Sequence, residues 1–315
     1  MTTPKSGGQN RGLLLGLGAF GSWGLFPAFF PLLKPAGAFE VLAHRIVWTL
    51  LLMVVVLAVG RRLGDLRRLT AKTWGLLVCA SGLIALNWGI YIYAVNNGHV
   101  VDAALGYFIN PLVSVALGVA LFGERLNRSQ SIALGTGAAA VAVLAVQAGD
   151  VPVIGLGLAA SFGLYGAVKK VVRADPRVSV GVEAGLAAPF AIGYLVVLTA
   201  AGHATVPALG AGHTALMMLC GPVTALPLLM FAGAAHRLPL VTMGLLQYLT
   251  PALQMAWGVF VGHEPMPAGR WIGFGLIWLA LMMLTGDAIG RKSARNRSGD
   301  LDNDVDPDVA RSSIP

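Results

Sequence analysis

Apolar runs of roughly 20 residues, separated by short clusters of charge, Gly and Pro, recur along the whole chain, and each is long enough as a helix to cross about 30 Å of hydrocarbon. They fall near 12–33, 38–59, 73–95, 103–123, 129–148, 152–172, 180–201, 214–235, 239–262 and 268–288. The pattern predicts an all-α polytopic membrane protein with ten transmembrane helices. Prolines lie inside these runs, at Pro27, Pro31, Pro111, Pro189, Pro222, Pro227 and Pro251. A bundle tolerates them because neighbouring helices and Ser/Thr side chains satisfy the freed carbonyls.

The pattern is written twice. Between Asn87 and Leu144 and again between Pro227 and Leu284 the chain repeats at a constant offset of about 140 residues, pairing Leu105 with Leu245, Pro111 with Pro251, Glu124 with Glu264 and Gly135 with Gly275. The first and sixth segments match as well: Gly16, Gly18, Ser22 and Gly24 align with Gly155, Gly157, Ser161 and Gly163. Each half therefore holds five helices. An odd number makes the second copy enter the membrane inverted, an arrangement repeatedly used for alternating access. The implied organisation is a cytoplasmic N-terminus at 1–11, repeats at 12–148 and 152–288, and a disordered cytoplasmic tail at 291–315, where Asp, Ser, Asn and Arg replace apolar residues.

Composition agrees with this picture: 56% hydrophobic, 11% charged, mean hydropathy +0.74, against about a quarter charged in a soluble domain. The net charge of +8 does not signal nucleic acid, because the charges mark one side of a membrane. With the N-terminus in the cytoplasm, nineteen of the 22 Lys and Arg lie inside; Lys34 and Arg270 lie outside, and Arg45 lies within a span. The positive-inside rule thus predicts a multi-pass cytoplasmic-membrane protein with both termini in the cytoplasm. Lys5 and Arg11 before an apolar run mimic a signal peptide, but that run exceeds the usual 7–15 residues. Cys79 and Cys220 sit in separate apolar helices, and no metal spacing or cofactor motif is evident. The Gly16–Gly21 run satisfies a dinucleotide pattern with no strand before it, so close helix packing is the better use of those glycines.

Polar residues inside spans carry the chemistry. Tyr107, Asn110 and Ser114 share one face of the fourth helix, and Gln247, Thr250 and Gln254 repeat that face on the ninth. Polar groups are costly in lipid, so both stripes are expected to face a shared central pocket, with interhelical hydrogen bonding as the competing use. Asn87, Trp88 and Tyr91 on the third helix are further pocket candidates. Ionisable residues within spans are Glu40, His44 and Arg45 on the second helix and Glu183 on the seventh. A carboxylate in the first turn of a helix is favoured by the dipole, which accounts for Glu40 and Glu183 without a function; coupling or gating is the alternative. A guanidinium well below the surface suits a carboxylate or phosphate partner, whether a ligand or Glu40. Glu124 and Glu264, at helix ends, are expected to bond neighbouring backbone.

Glu40-Val41-Leu42-Ala43-His44-Arg45, Asn87-Trp88 with Tyr91, Leu105-Gly106-Tyr107-Phe108-Ile109-Asn110-Pro111, Glu124-Arg125-Leu126, Tyr165-Gly166 and Gln247-Tyr248 with Pro251 resemble the RarD group of EamA-type transporters in the drug/metabolite transporter superfamily. The resemblance spans roughly residues 12 to 288. It implies a ten-helix permease of two EamA repeats, in a group named for an association with chloramphenicol sensitivity and without a firmly established substrate. Where the family often has Arg-Lys after the sixth helix, this chain has Lys169-Lys170, which keeps the charge. The expected function is secondary transport of a small polar or amphipathic metabolite or drug. Arg45, His44, Asn87, Trp88, Tyr91, Tyr107, Asn110, Ser114, Gln247, Tyr248, Thr250 and Gln254 are the candidate substrate-binding residues. Expected partners are the small-molecule substrate and the lipid bilayer, with a homodimer as the candidate assembly. A membrane-embedded enzyme and a non-transporting sensor or scaffold are the competing readings; the first lacks a nucleophile–base or metal grouping.

Overall fold

The computed structural model describes residues 6–123, 125–148, 152–235, 237–238, 246–283 and 286. Glu124, the first part of the ninth apolar run and the expected tail at 291–315 lie outside the described residues. The described chain is helical, in the order α1 (Ser6–Gly24), α2 (Ala38–Val59), α3 (Ala71–Asn96), α4 (Val100–Phe122), α5 (Arg128–Ala148), α6 (Val153–Val171), α7 (Pro176–Ala200), α8 (Gly210–Ala235), α9 (Leu249–Phe260) and α10 (Ala268–Met283). Among the described residues, α2, α3, α4, α5, α7 and α8 are long and apolar enough to cross a membrane. α1 and Phe26–Leu33, bent by 45° at Leu25, add a seventh when the pair is counted as one broken span. Pro27 and Pro31 stand at the start of the two short pieces beyond the bend, where a missing N–H removes nothing from the ladder.

Helix ends follow local chemistry. Asp175 accepts from the Arg177 N–H at 2.9 Å and Pro176 opens α7, an ordinary N-cap followed by proline. Gly123, at φ 64°, closes α4 in the left-handed conformation that glycine adopts without strain. The start of α4 is capped from far along the chain: Glu264 accepts the Val100 and Val101 N–H groups at 2.6 and 2.9 Å. This is the backbone-bonding use expected of Glu264, delivered by the loop before α10.

Large apolar side chains point outward, as at Phe190 (81% exposed), Phe260 (76%) and Phe39 (70%). So much exposed apolar surface is untenable in water and natural against lipid. Inside, α2 packs on α7 and α8, α1 on α8 and α9, α4 on α6 and α9, and α3 on α6 and α7. The core cluster of Leu105, Phe108, Leu112, Ala140, Phe274 and Ile277 joins α10 to α4 and α5. Small residues permit the tightest crossing: a Cβ on Gly106 would stand 2.6 Å from the Gly155 carbonyl oxygen, so α4 and α6 meet backbone to backbone.

Candidate functional site

Between these helices lies a cavity of about 610 Å³, within the range of small-molecule sites. Aromatic rings form part of its wall, with Phe20, Trp23, Phe26, Trp88, Tyr107 and Phe162 among the lining. Of the sequence candidates, Arg45, Asn87, Trp88, Tyr91, Tyr107, Asn110, Gln247, Thr250, Gln254 and Glu183 line it. The stripes of α4 and α9 thus meet in one chamber at Tyr107 and Asn110 on one side and Gln247, Thr250 and Gln254 on the other. A second cavity of about 510 Å³ lies between α2, α3 and α7 and shares Ile46, Ser81, Ala85 and Ala187 with the first.

Arg45 projects from α2 into the chamber while only 3% exposed. Its Nε–H donates to Thr224 Oγ1 at 2.8 Å, and the Thr224 hydroxyl donates in turn to the Cys220 carbonyl at 2.8 Å. The guanidinium lies 4.0 Å from the Trp88 ring centroid and 5.3 and 5.7 Å from those of Phe26 and Phe30. Such cation–π contacts stabilise a desolvated cation without neutralising it. Glu40 is not its partner. That carboxylate, in the first turn of α2, accepts from the Thr205 backbone N–H at 2.7 Å and the Thr205 hydroxyl at 2.9 Å, outside the cavity lining.

Glu183 departs from its sequence account. The hydropathy run starts at about residue 180, but the helix starts at Pro176, so Glu183 lies in the second turn of α7 and the helix dipole does not explain it. It is held instead by Lys169 Nζ at 2.6 Å, the Ser179 hydroxyl at 2.7 Å and the Tyr165 hydroxyl at 3.0 Å. Lys169 also bonds Ser179. The cluster stands at the end of the cavity where α6 finishes and α7 begins, with Arg177 exposed at the rim.

Several candidates have other uses. Asn87 donates to the Leu158 carbonyl and the Ser161 hydroxyl, both at 3.0 Å, and accepts from Tyr107 at 3.3 Å, so it ties α3 to α6 and α4. Thr250 and Gln254 bond the Phe20 and Trp23 carbonyls of α1 at 2.8 and 3.2 Å. His44 is buried but does not line the cavity, Tyr248 packs against the α4–α5–α10 core, and Ser114 is exposed beyond the chamber. Ser114 does share a face with Tyr107, yet it stands about 10 Å further along α4, past Asn110, where the chamber has ended.

A model of the EamA-like transporter family matches residues 10–146. The protein RarD of Streptomyces exfoliatus is 49% identical over 292 residues, covering 92% of this chain and 92% of that protein. The chain belongs to the RarD group of EamA-type transporters. As a RarD-type protein it is a multi-pass membrane transporter of the drug/metabolite superfamily. The transporter YojE of Bacillus subtilis, itself described as uncharacterized, is 42% identical over 291 residues, 90% of this chain and 96% of that one. A solved crystal structure shares the fold, with a TM-score of 0.58 at 16% identity, covering 89% of this RarD-type chain and 98% of the other.

Reading the sequence alone misses three residues at this site of the RarD-type chain, Thr224 and Lys169 on the cavity lining and Ser179 bonded to Glu183 behind it. Thr224 holds the guanidinium, and its only signal is a lone hydroxyl between Pro222 and Pro227 in an otherwise apolar run. Lys169 was counted among cytoplasmic loop charges but turns inward to Glu183. Ser179 completes that cluster from what read as a loop.

Proposed function

We propose that the chain is a secondary transporter, a permease or exporter, that moves a small polar or amphipathic metabolite or drug across the cytoplasmic membrane by alternating access of two inverted five-helix halves, 12–148 and 152–288. The set of helix contacts carries this reading. Exchanging each helix for the one five places away turns α1–α8 into α6–α3, α1–α9 into α6–α4 and α2–α8 into α7–α3, while α2–α7 and α4–α9 map onto themselves. Every one of those pairs is present. Local detail follows the same exchange: Ser22 donates to the Gly18 carbonyl and Ser161 to the Gly157 carbonyl, each at 2.6 Å. That symmetry supports a reading of ten membrane crossings in two odd halves, and the Lys/Arg bias supports both termini in the cytoplasm.

The cavity stands between the halves, and swapping their conformations moves its opening across the membrane. It extends to Lys169, Pro176 and Arg177, on the side that the Lys/Arg bias assigns to the cytoplasm, which supports an inward-facing conformation. Glu183, at that mouth, is the gating or coupling group. Glu40 is committed to the loop at Thr205, a fastening role.

The test uses the purified protein in liposomes, with single cysteines at Asn110 and Gln254 probed by a membrane-impermeant maleimide from each side. Solute flux together with side-dependent labelling that changes when solute is added is the expected result. No flux for any solute tried and labelling that never changes would refute alternating access. Flux that persists unchanged after the pH gradient is collapsed removes proton coupling alone.

A further inference from the structure

The chamber contains a cation, Arg45, that no acidic side chain among the described residues neutralises. Arg45 is buried, and its Nη1 has no hydrogen-bond partner among the described residues. Among the described residues no carboxylate pairs with it. The ion pairs of the described residues belong to Arg62, His99, Lys169 and Arg270; Glu40 is bound to Thr205, and Glu183 to Lys169. Arginine does not shed its proton, and a buried unpaired charge is strongly disfavoured. The aromatic rings around it ease that cost while leaving the positive charge intact. Other buried polar atoms of the same lining also lack a partner among the described residues: Thr49 Oγ1, Tyr91 OH, Gln254 Oε1 and Asn110 Oδ1, the last two being acceptors only.

Building on the transporter reading of this cavity, we propose that its substrate is an organic monoanion, with a carboxylate that pairs with Arg45 Nη1, an aromatic body against Trp88, and a hydroxyl or N–H that donates to Asn110 Oδ1. Arg45 is the buried cation of the lining without an acidic partner among the described residues, and one such cation matches one negative charge. A phosphate dianion would need a second cation beside Arg45, whereas the other cations of the lining, Lys169 and Arg177, stand at the α6–α7 end, where Lys169 is already paired with Glu183. A carboxylate meets a guanidinium edge-on with charge-assisted hydrogen bonds. Trp88, whose ring centroid is 4.0 Å from the guanidinium, lines the same chamber and brings aromatic surface next to that edge. A volume of about 610 Å³ admits a body of one or two rings.

The experiment measures binding to the detergent-purified full chain by calorimetry and thermal shift, using two matched series. 4-Hydroxyphenylacetate and 6-hydroxy-2-naphthylacetate are each compared with the corresponding neutral amide and with the amine. The acid is expected to bind at least tenfold tighter than its amide or amine. Arg45→Gln brings that ratio to about one, Arg45→Lys retains a preference, and Thr224→Val weakens the acid more than the amide. If Arg45→Gln does not fold, the Lys and Thr224 variants carry the test. Amides or amines that bind as well as the acids, no acid binding at millimolar concentration, or an undiminished preference in Arg45→Gln would each overturn the proposal. Flux in liposomes separates the two readings. Acid binding without any transport defeats the transporter reading and spares this one, whereas transport of neutral or cationic solutes with no acid preference does the reverse.

Discussion

Replacing Lys169 by methionine tests the charge arrangement on which the chamber depends. The substitution keeps an unbranched side chain of similar length and removes the cation that pairs with Glu183 among the described residues. Glu183 is then a carboxylate 6% exposed, still bonded to the Ser179 and Tyr165 hydroxyls. Breaking one partner of a fully buried pair costs about 3–5 kcal/mol. Two effects reduce this: the two hydroxyls persist, and the Lys169 side chain is 24% exposed, so water screens part of the original attraction. The expected loss is about 2–3 kcal/mol. Glu183→Gln costs less, about 1 kcal/mol, because the amide still bonds both hydroxyls and Lys169 can turn to the open rim. The double variant Lys169→Met with Glu183→Gln should regain about 1 kcal/mol or more over the sum of the single losses. Reversible unfolding by SDS titration in bicelles measures all four proteins. A Lys169→Met loss below about 1 kcal/mol, or strictly additive singles, would show that the pair does not bind in the folded protein, and Glu183 would return as a free acid in the chamber.

Two further predictions concern the scaffold. Gly106→Ala forces a Cβ to within 2.6 Å of the Gly155 carbonyl oxygen, and backbone cannot yield as a side chain can, so the variant should lose about 1–3 kcal/mol in the same titration. Gly135→Ala, with open space around its Cβ, serves as the control and should be neutral or slightly stabilising. Glu264→Ala uncaps α4 and should cost about 1–3 kcal/mol. Burial raises the Glu264 pKa above the usual carboxylate value despite the Val100 and Val101 N–H groups, which act to lower it. The folded protein then holds this proton more firmly than the unfolded chain. The associated stability is fully present below the ordinary glutamate pKa and is lost as pH rises through the raised one. That slope should vanish from the melting profile of Glu264→Gln.

Helix positions were legible because hydropathy and length are properties of contiguous sequence, and the structure begins and ends α2 where the apolar run does. Boundaries slipped where a helix begins in polar sequence. The Asp175-Pro176 start of α7 is a capping signal that a hydropathy window overlooks, and with it went the account of Glu183. Partners were harder to see. Arg45 meets Thr224 across 179 positions, Glu40 meets Thr205 across 165, and Thr250 meets Phe20 across 230. Periodicity assigns a side chain to a face, and only tertiary packing decides what stands opposite or where a cavity stops, as Ser114 illustrates. The polar stripes were therefore found by period, while their division between fastening helices and facing the chamber was not.

That division changes the weight of each ionisable residue. Read from the sequence, Glu40, His44, Arg45 and Glu183 are the ionisable candidates within spans, with the helix dipole accounting for Glu40 and Glu183 and Arg45 the stronger candidate. In the fold, Glu40 fastens the loop at Thr205, His44 does not line the chamber, and Glu183 is bound to Lys169. Arg45 alone among the four lines the chamber without an opposite charge from the protein. Its Thr224 partner lies on α8 and its aromatic neighbour Trp88 on α3, helices that the five-place exchange interchanges. A counter-ion bound there touches groups supplied by both halves, so its arrival and departure alter the contact between them. A ligand can bias two conformations only through such a difference in contacts, and the unneutralised guanidinium is the strongest source of one in this chamber.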